Sequence, residues 1–412
     1  MDELTIRALI RAALAFVSTL VIGSLVVFGA SRLVSDDEPT DAASPTPSGA
    51  SPTVDPEPDA YPTWLMWIPG GIPDGVGPSV TTVPVIRSAT TATADIAWLS
   101  RSIDASGAVV DDPADPYLLP IDATGVDPTF PSFVPEDVRG PIEGLLPGEG
   151  LLSETAAAVR ELSTGAILEF QTGASVRIAG ILPDDAMGGY ELMVTRGTGE
   201  DIGVTHERYV LFQVRPGANP PAASIAGQLL PYLPEDAPFY AVEVRAPDAV
   251  VFRRANDREL PLVLLKRRFG EFAAQPDPVT GELTIEPSWV QGRIVSQAVP
   301  VLGSISCHRK ALVEIEDAMA RVEADGTATL VTDVGDCFDP TAIVDDPDGT
   351  LSAEDFGAAI EINLGGNEPG EEPTQPDSVV RAMMSNGFGW GGRDAWPQGA
   401  QFRFRRPPPP IA

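Results

Sequence analysis

The feature that most restricts how this chain can fold is an uninterrupted apolar stretch near its N-terminus. Residues 12–30 contain no charged side chain and are rich in Leu, Val, Ile and Phe. A helix of about 20 apolar residues crosses the hydrocarbon core of a bilayer, so this stretch predicts a single transmembrane helix. Arg7 and Arg11 precede it and an acidic run begins at Asp36, which places the N-terminus in the cytoplasm and the bulk of the chain outside.

A cleaved signal peptide is the alternative for the same stretch. Such a peptide has a shorter apolar core that ends in a small-x-small site, and Ala30 lies near such a position. The length of the core favours an uncleaved anchor over residues 1–34. Residues 35–62 consist mainly of Asp, Glu, Pro, Ser, Thr and Ala, which cannot form a hydrophobic core, and they predict an extended, disordered linker.

Composition limits the partners and the redox state. The 412 residues include 59 acidic and 27 basic ones, a net charge of −32. Nucleic-acid phosphates are bound by clustered Lys and Arg, so this balance argues against a nucleic-acid partner. The only two cysteines are Cys307 and Cys337. Outside the cytoplasm they predict a disulfide, whereas in a cytosolic chain two buried thiols would be expected.

Residues 63–257 alternate between strand and helix patterns and predict an α+β domain. Ser153 is placed to cap a helix over 154–162, and the segments 166–171 and 175–182 predict a hairpin. Further strands are predicted at 190–196, 208–215 and 239–245, and a further helix at 223–230. No phosphate-binding loop, metal-ligand spacing or nucleophile motif occurs here, and His206 is expected to be a solvated loop residue. Docking onto a protein, wall binding and support of a neighbouring domain all remain open.

The last third, residues 258–404, combines helical and strand patterns and precedes a flexible tail at 405–412. One amphipathic helix is predicted because apolar residues recur at helical spacing, at Leu312, Ile315, Met319 and Val322. A second helix is predicted at 289–299 and a strand at 329–332. A third helix is expected to begin at Asp377, as its cap, and to end at Asn386 and Gly387.

A carboxylate interrupts an apolar strand pattern in the segment 351–363, Leu-Ser-Ala-Glu-Asp-Phe-Gly-Ala-Ala-Ile-Glu-Ile-Asn. The segment predicts a turn that leads into a short buried strand in which Ile360 and Ile362 flank Glu361. Burying a charged group is costly unless the group is paired or bound to something. Glu361 is therefore a candidate for a functional position.

This segment resembles the first metal-binding motif of the D-Ala-D-Ala carboxypeptidase-like (L-Ala-D-Glu endopeptidase-like) zinc peptidases, which cleave peptidoglycan peptides. The family pattern is Leu-Ser-x-His-x-x-Gly-x-Ala-Ile-Asp-Ile-Asn. Residues 387–392, Gly-Phe-Gly-Trp-Gly-Gly, are similar to the family's Gly-Phe-x-Trp-Gly-Gly. Residues 396–403, Trp-Pro-Gln-Gly-Ala-Gln-Phe-Arg, are similar to Trp-Pro-Asp-Gly-Met-His-Phe-Glu. The resemblance implies a small antiparallel sheet with flanking helices over residues 258–404, and it implies a Cys307–Cys337 bond.

At the positions where the resembling family has its functional residues, this chain has residues of different chemistry. The three zinc ligands correspond to Glu354, Glu361 and Gln401, the general base to Gln398, and a substrate-binding arginine to Thr341. Such a peptidase needs three ligands, an open position for water and a carboxylate base. A glutamine is a weak ligand and no base, and a threonine cannot grip a carboxylate with two parallel hydrogen bonds. The positions thus imply a peptidase fold without catalysis.

The sequence therefore predicts a membrane-anchored, extracytoplasmic protein that acts in cell-wall binding or scaffolding, with peptidoglycan or a cell-wall enzyme as its partner and no cofactor. The alternative is an active carboxypeptidase or endopeptidase on stem peptides, with zinc in a rearranged site. Trp390 and Trp396 are candidates for the wall of a binding cleft, with packing in the core or at its rim as the alternative. His308 is expected to make a structural hydrogen bond. A calcium loop at 346–349 is excluded because its first ligand position would be Val344.

Overall fold

A computed structural model describes most of the chain from Thr63 onward, as a mixed α+β structure with one large sheet. The described residues are 63–68, 70–215, 222–233, 240–244, 260–277, 280, 282–340, 351–394 and 397–408. The expected membrane helix, the linker, Thr341, Trp396 and the segment 346–349 all lie outside them. Within these ranges, no helix is both long enough and apolar enough to span a membrane.

Ten strands build the large sheet, and all but two of their pairings are antiparallel. The strands are β1 (Thr63–Trp67), β2 (Ile86–Ile103), β3 (Val109–Asp111), β4 (Leu119–Val126), β5 (Glu149–Ser153), β6 (Ile167–Phe170), β7 (Ser175–Leu182), β8 (Leu192–Thr195), β9 (Glu207–Val214) and β10 (Tyr240–Val244). Their order is β10-β1-β9-β2-β4-β8-β5-β7-β6, with β3 beside β2. The parallel pairs are β4 with β8 and β5 with β7.

The strand β2 closes part of this sheet into a ring. Its first half pairs with β9, its centre with β4 and its end with β6. Register shifts at Ala92/Thr93 and at Leu99/Arg101 accompany these changes of partner, because a bulge bends a strand and increases its twist. Since β6 is also reached through β4, β8, β5 and β7, six strands surround a common core. Its fully buried side chains include Leu99, Ile121, Leu168, Ile178 and Leu192.

In the described parts of this region, five helices cover the large sheet and its loops: α1 (Val76–Val80), α2 (Glu136–Glu143), α3 (Glu154–Val159), α4 (Arg196–Asp201) and α5 (Ala222–Leu229). The predicted cap of α3 is confirmed, because Ser153 Oγ accepts a hydrogen bond of 3.1 Å from the Ala156 N–H. The predicted hairpin is also confirmed as the antiparallel pair of β6 and β7. The sequence predicts these features correctly because turn and capping residues set the conformation of only their near neighbours in the chain.

The described residues of the last third form short strands and four helices. The helices are α6 (Leu262–Phe269), α7 (Pro287–Arg293), α8 (Arg309–Ala324) and α9 (Asp377–Ser385). The strands are β11 (Ala274–Pro276), β12 (Leu283–Ile285), β13 (Ile294–Val299), β14 (Gly303–His308), β15 (Ala359–Glu361), β16 (Phe388–Trp390) and β17 (Gln401–Phe404). They form the pairs β11–β12 and β13–β14 and an antiparallel sheet in the order β15-β17-β16.

Three local predictions in this part were wrong. The helix expected over 289–299 ends at Arg293, and the rest is β13, whose hydrogen bonds go to β14. The strand expected at 329–332 is a 3-10 turn, and the Thr332 N–H donates to Asn363 Oδ1 at 2.7 Å. Asp377 does not cap α9, because the N-cap position is Pro376 and no side chain caps it. In the first two cases a distant partner decided the conformation of a short segment.

The core of the last third lies between α8, α9 and the three-stranded sheet. The predicted apolar face of α8 is confirmed, since Leu312, Ile315, Met319 and Val322 are all buried. Aromatic rings also meet here, among them those of Phe269, Phe272, Trp289, Phe356 and Phe404. The Cys307–Cys337 disulfide is present and joins the end of β14 to a loop 30 residues further on. Arg406, at the start of the tail, pairs with Glu314 at 2.6 Å.

Buried charges join α6 to the large sheet. Lys266 Nζ lies 2.6 Å from Glu191 Oε1 and 2.9 Å from Glu271 Oε1, and Arg160 contacts Glu271 as well. The side chains of Lys266, Arg160 and Glu191 are at most 2% exposed. Lys266 also donates to the carbonyl of Pro120 in β4. A buried ion is stable only when it is paired with good geometry. Lys266 and Glu271 follow the domain boundary expected at residue 257, and Arg160 and Glu191 precede it, so these ion pairs join the two predicted domains.

We expect Lys266→Met to destabilise the protein by about 3 kcal/mol or more, because it leaves two buried carboxylates without their ammonium partner. The matched control is Arg101→Met, which breaks a partly exposed pair with Glu169 and is expected to lower the free energy of unfolding far less, because water screens that pair. Urea unfolding of the purified chain measures both changes. Equal losses for the two variants would contradict the importance assigned to the buried network.

Candidate functional site

A cleft of about 290 Å³ opens at one end of the three-stranded sheet. Glu361 is the last residue of β15 and lies directly opposite Gln401, the first residue of β17. Directly opposed residues of an antiparallel pair point to the same face, so both side chains line the cleft, together with Gln398. The remaining lining residues are Leu364, Asn367, Glu368, Pro369 and Ala400.

The turn before β15 places the carboxylate of Glu354 beside Gln401. Gln401 Nε2 donates a hydrogen bond to Glu354 Oε1, so the three positions matched to ligands, Glu354, Glu361 and Gln401, lie together. The turn is closed by the Gly357 N–H, which donates to the Glu354 carbonyl at 2.8 Å, and Gly357 has φ +62°. Gln401 Oε1 is buried and has no hydrogen-bond partner within the described parts of the chain.

Glu361 lies among other carboxylates. Burial raises the pKa of Glu361, and the negative charges of Glu354, Asp336 and Asp339 raise it further. The backbone of Gly335 lies against Glu361, and its N–H donates to the Glu361 carbonyl at 3.0 Å. Only glycine fits here, because a Cβ at Gly335 would lie 2.7 Å from Glu361 Oε2. The sequence motifs did not point to Asp336 or Asp339. Both lie within two residues of Cys337, and the expected disulfide was the available signal that the loop carrying them is fixed against the domain.

The position matched to the general base, Gln398, is held by a neighbouring cation. Arg403 Nη2 donates to Gln398 Oε1, and Arg403 also pairs with Asp394 at 2.8 Å. Trp390, a half-buried residue of β16, supports the same loop because its Nε1 donates to the carbonyl of Gly399 at 2.7 Å. Arg403 was not singled out by the sequence analysis, since only its place on β17 shows that it faces Gln398.

This set of donors does not fit the zinc that the resemblance implies. Structural and catalytic zinc sites use imidazole, thiolate and carboxylate ligands. Here the amide nitrogen of Gln401 is directed at Glu354, and Gln398 cannot remove a proton from a metal-bound water. Across the described ranges, no group of three or more His, Cys, Asp or Glu side chains is arranged to hold a metal ion.

The two histidines lie elsewhere. His308 is fully buried at the start of α8, where its Nδ1 accepts from the Lys310 N–H and its Nε2 lies 3.1 Å from the Phe269 carbonyl. These contacts confirm the structural hydrogen bond predicted for it. Burial lowers the pKa of His308 to about 4, so the imidazole is neutral at pH 7. His206 is exposed as expected, but it is not merely solvated, because its Nδ1 lies 2.9 Å from Asp95 Oδ1.

Comparisons with known proteins leave the family of this chain undetermined. No family model matches it, and no curated protein matches it. Among solved structures, the periplasmic region of MacB from Actinobacillus actinomycetemcomitans is 13% identical with a TM-score of 0.29, covering 44% of this chain and 88% of that one. The extracellular domain of the noncanonic ABC-type transporter YknZ from Gram-positive bacteria is 13% identical with a TM-score of 0.26, covering 40% and 88%. Likeness at this level does not establish a common fold.

We expect His308 to make the folded protein less stable as the pH falls from about 7 to about 5.5. The unfolded histidine takes up a proton near pH 6.5, whereas the buried one does so only near pH 4. The unfolded state therefore binds more protons in this window, which costs the folded state about 1 kcal/mol. Urea unfolding at both pH values should show that His308→Gln removes this part of the pH dependence. An unchanged pH dependence in the variant would exclude His308 as its source.

Proposed function

We propose that residues 258–404 form a D-Ala-D-Ala-carboxypeptidase-like domain that has lost its zinc and its general base, and that the protein binds peptidoglycan peptides without cleaving them. Two kinds of observation support this proposal. The motif fragments occur in the family's order along the sequence. Glu361, Gln398 and Gln401 line one cleft on a small antiparallel sheet, and Gln401 donates a hydrogen bond to Glu354. The amides at two of those positions supply no metal chemistry.

The observation that carries the proposal is the surplus of hydrogen-bond acceptors in the cleft. Gln401 uses its amide N–H on Glu354, and no described residue donates to the buried Gln401 Oε1; Glu361, the residue opposite Gln401 in the sheet, has a raised pKa. A buried acceptor without a donor is costly, and a ligand that brings N–H groups would satisfy it. Stem peptides offer backbone N–H groups and amines, so their chemistry is complementary to this cleft.

The proposed location is the outer face of a membrane. The apolar stretch at 12–30, with basic residues before it and acidic ones after it, supports an anchor with the following domains outside. The Cys307–Cys337 bond is consistent with an oxidising compartment. A flexible linker over 35–62 would extend by about 30 Å on average, which would let the folded part reach beyond the lipid headgroups.

Restoring the family's residues tests whether the cleft derives from a zinc site. We expect the combined variant Glu354→His, Glu361→Asp, Gln398→Asp and Gln401→His to bind one zinc ion, because it supplies two imidazoles and one carboxylate at the three positions matched to zinc ligands. The unchanged chain should bind none stoichiometrically and should not turn over a muropeptide or a D-Ala-D-Ala peptide. Zinc content after dialysis and peptide turnover are the measurements, with unfolding curves as the check on folding.

The binding role has its own test. The unchanged chain should be retained on purified peptidoglycan, and Glu361→Gln should weaken binding of a soluble stem peptide about tenfold, since an amide NH2 group replaces one acceptor oxygen of the carboxyl group. Glu371→Gln, at an exposed carboxylate outside the cleft lining, is the matched control and should bind as the unchanged chain does. Absence of retention would count against the binding role. Stoichiometric zinc together with turnover that Glu361→Ala abolishes would establish the alternative, an active peptidase.

A further inference from the structure

The second cavity of interest is basic, although the chain as a whole carries a net charge of −32. It measures about 500 Å³ and lies where α7 meets the start of α8. Three cationic side chains, Arg293, Arg309 and Lys310, line it. The other lining residues are Glu286, Ser288, Trp289, Gly292 and His308. It shares no lining residue with the cleft around Glu361.

The three cations are not neutralised by carboxylates of the described chain. None of them forms an ion pair there, and Glu286 in the same lining lies beyond ion-pair distance of all three. Lys310 Nζ donates only to the carbonyl of Arg268. Burial and the positive charges of Arg268, Arg293 and Arg309 lower the pKa of Lys310.

The side chain of Arg293 is held in position before any ligand arrives. Its guanidinium lies against Gly270, where a Cβ would come within 2.5 Å of Cζ, and Cζ is 5.9 Å from the ring of Trp289. Trp289 is itself fixed, because its Nε1 donates to the carbonyl of Gly270 at 3.2 Å. A planar guanidinium fixed by stacking can form two parallel hydrogen bonds to an oxyanion at little entropic cost.

The start of α8 adds to the positive charge at this cavity. The helix has 16 residues, and Arg309 and Lys310 are its first two. The positive end of a helix dipole therefore coincides with the three cations. His308 caps the helix in its neutral form, so it contributes no charge at pH 7.

We propose that this cavity binds a phosphate group, carried by inorganic phosphate, a small phosphate ester or a lipid headgroup. Free phosphate and phosphate monoesters carry nearly two negative charges and match three converging cations better than a carboxylate with one charge does. A lipid phosphodiester carries one charge, and its two free oxygens can accept the parallel hydrogen bonds of Arg293. The cavity volume admits a small ester as well as the free ion. Because it shares no residue with the peptide cleft, this site is independent of the function proposed above.

The test uses calorimetric titration of the full chain in detergent with inorganic phosphate, glycerol phosphate and acetate, and flotation with phosphatidylglycerol vesicles. Saturable binding of either soluble phosphate, at least tenfold tighter than acetate, supports the proposal and identifies a soluble ligand. Vesicle binding that responds to the substitutions below, without binding of the soluble compounds, identifies a headgroup. Binding of none of these probes, or equal affinity for acetate and phosphate, would overturn the proposal.

Substitutions of the cationic lining residues test whether phosphate binds in this cavity. Arg309→Gln and Lys310→Gln replace exposed side chains, so both variants are expected to fold, and each should weaken phosphate binding about tenfold. Arg293→Met should weaken it at least as much. The control is Arg381→Gln on α9, which is 73% exposed and outside the cavity, and it should leave the affinity unchanged. Equal affinity in Arg309→Gln, Lys310→Gln and the unchanged chain would overturn the assignment.

Discussion

The contact on which the arrangement of the described chain depends is the buried ion cluster around Lys266. A single ammonium group joins a carboxylate from the loop before β8, a carboxylate that follows α6 and a carbonyl of β4. Removing this ammonium group would leave Glu191 in a dry interior without the cation that it contacts, which costs far more than the loss of an ordinary contact. Ile96 and Trp98 of β2 add apolar contacts to the core of the last third. The large sheet and the small one are therefore positioned by charge pairing as well as by packing.

The cleft follows from that arrangement through a second constraint, the register of β15 and β17. Pairing Glu361 with Gln401 directs both side chains to one end of the sheet, where the preceding turn adds Glu354. A shift of one residue would turn each of them to the opposite face. The amide of Gln401 then contacts a carboxylate, and Arg403 holds Gln398. Carboxylate and amide oxygens therefore lie together at this end of the sheet.

Local signals in the sequence were reliable where the physics is local. Ser153 as a cap, the hairpin of β6 and β7 and the apolar face of α8 depend on residues a few positions apart. The strand β13 was mistaken for the end of a helix because its conformation is decided by β14. The ring of six strands was not foreseen at all. It requires β2 to change partners twice along its length, and single-sequence patterns carry no information on pairing.

The sequence by itself determined which chemistry was available at the cleft. It contains glutamines and glutamates where the resembling family has zinc ligands and a base, and no folding can change the identity of a side chain. Only the tertiary structure decided which of these groups meet. Asp336 and Asp339 approach Glu361, and Arg403 donates a hydrogen bond to Gln398. Three cationic side chains line a second cavity. The reason is that such contacts join residues far apart in the chain, and their energies depend on burial and distance, which exist only once the chain has folded.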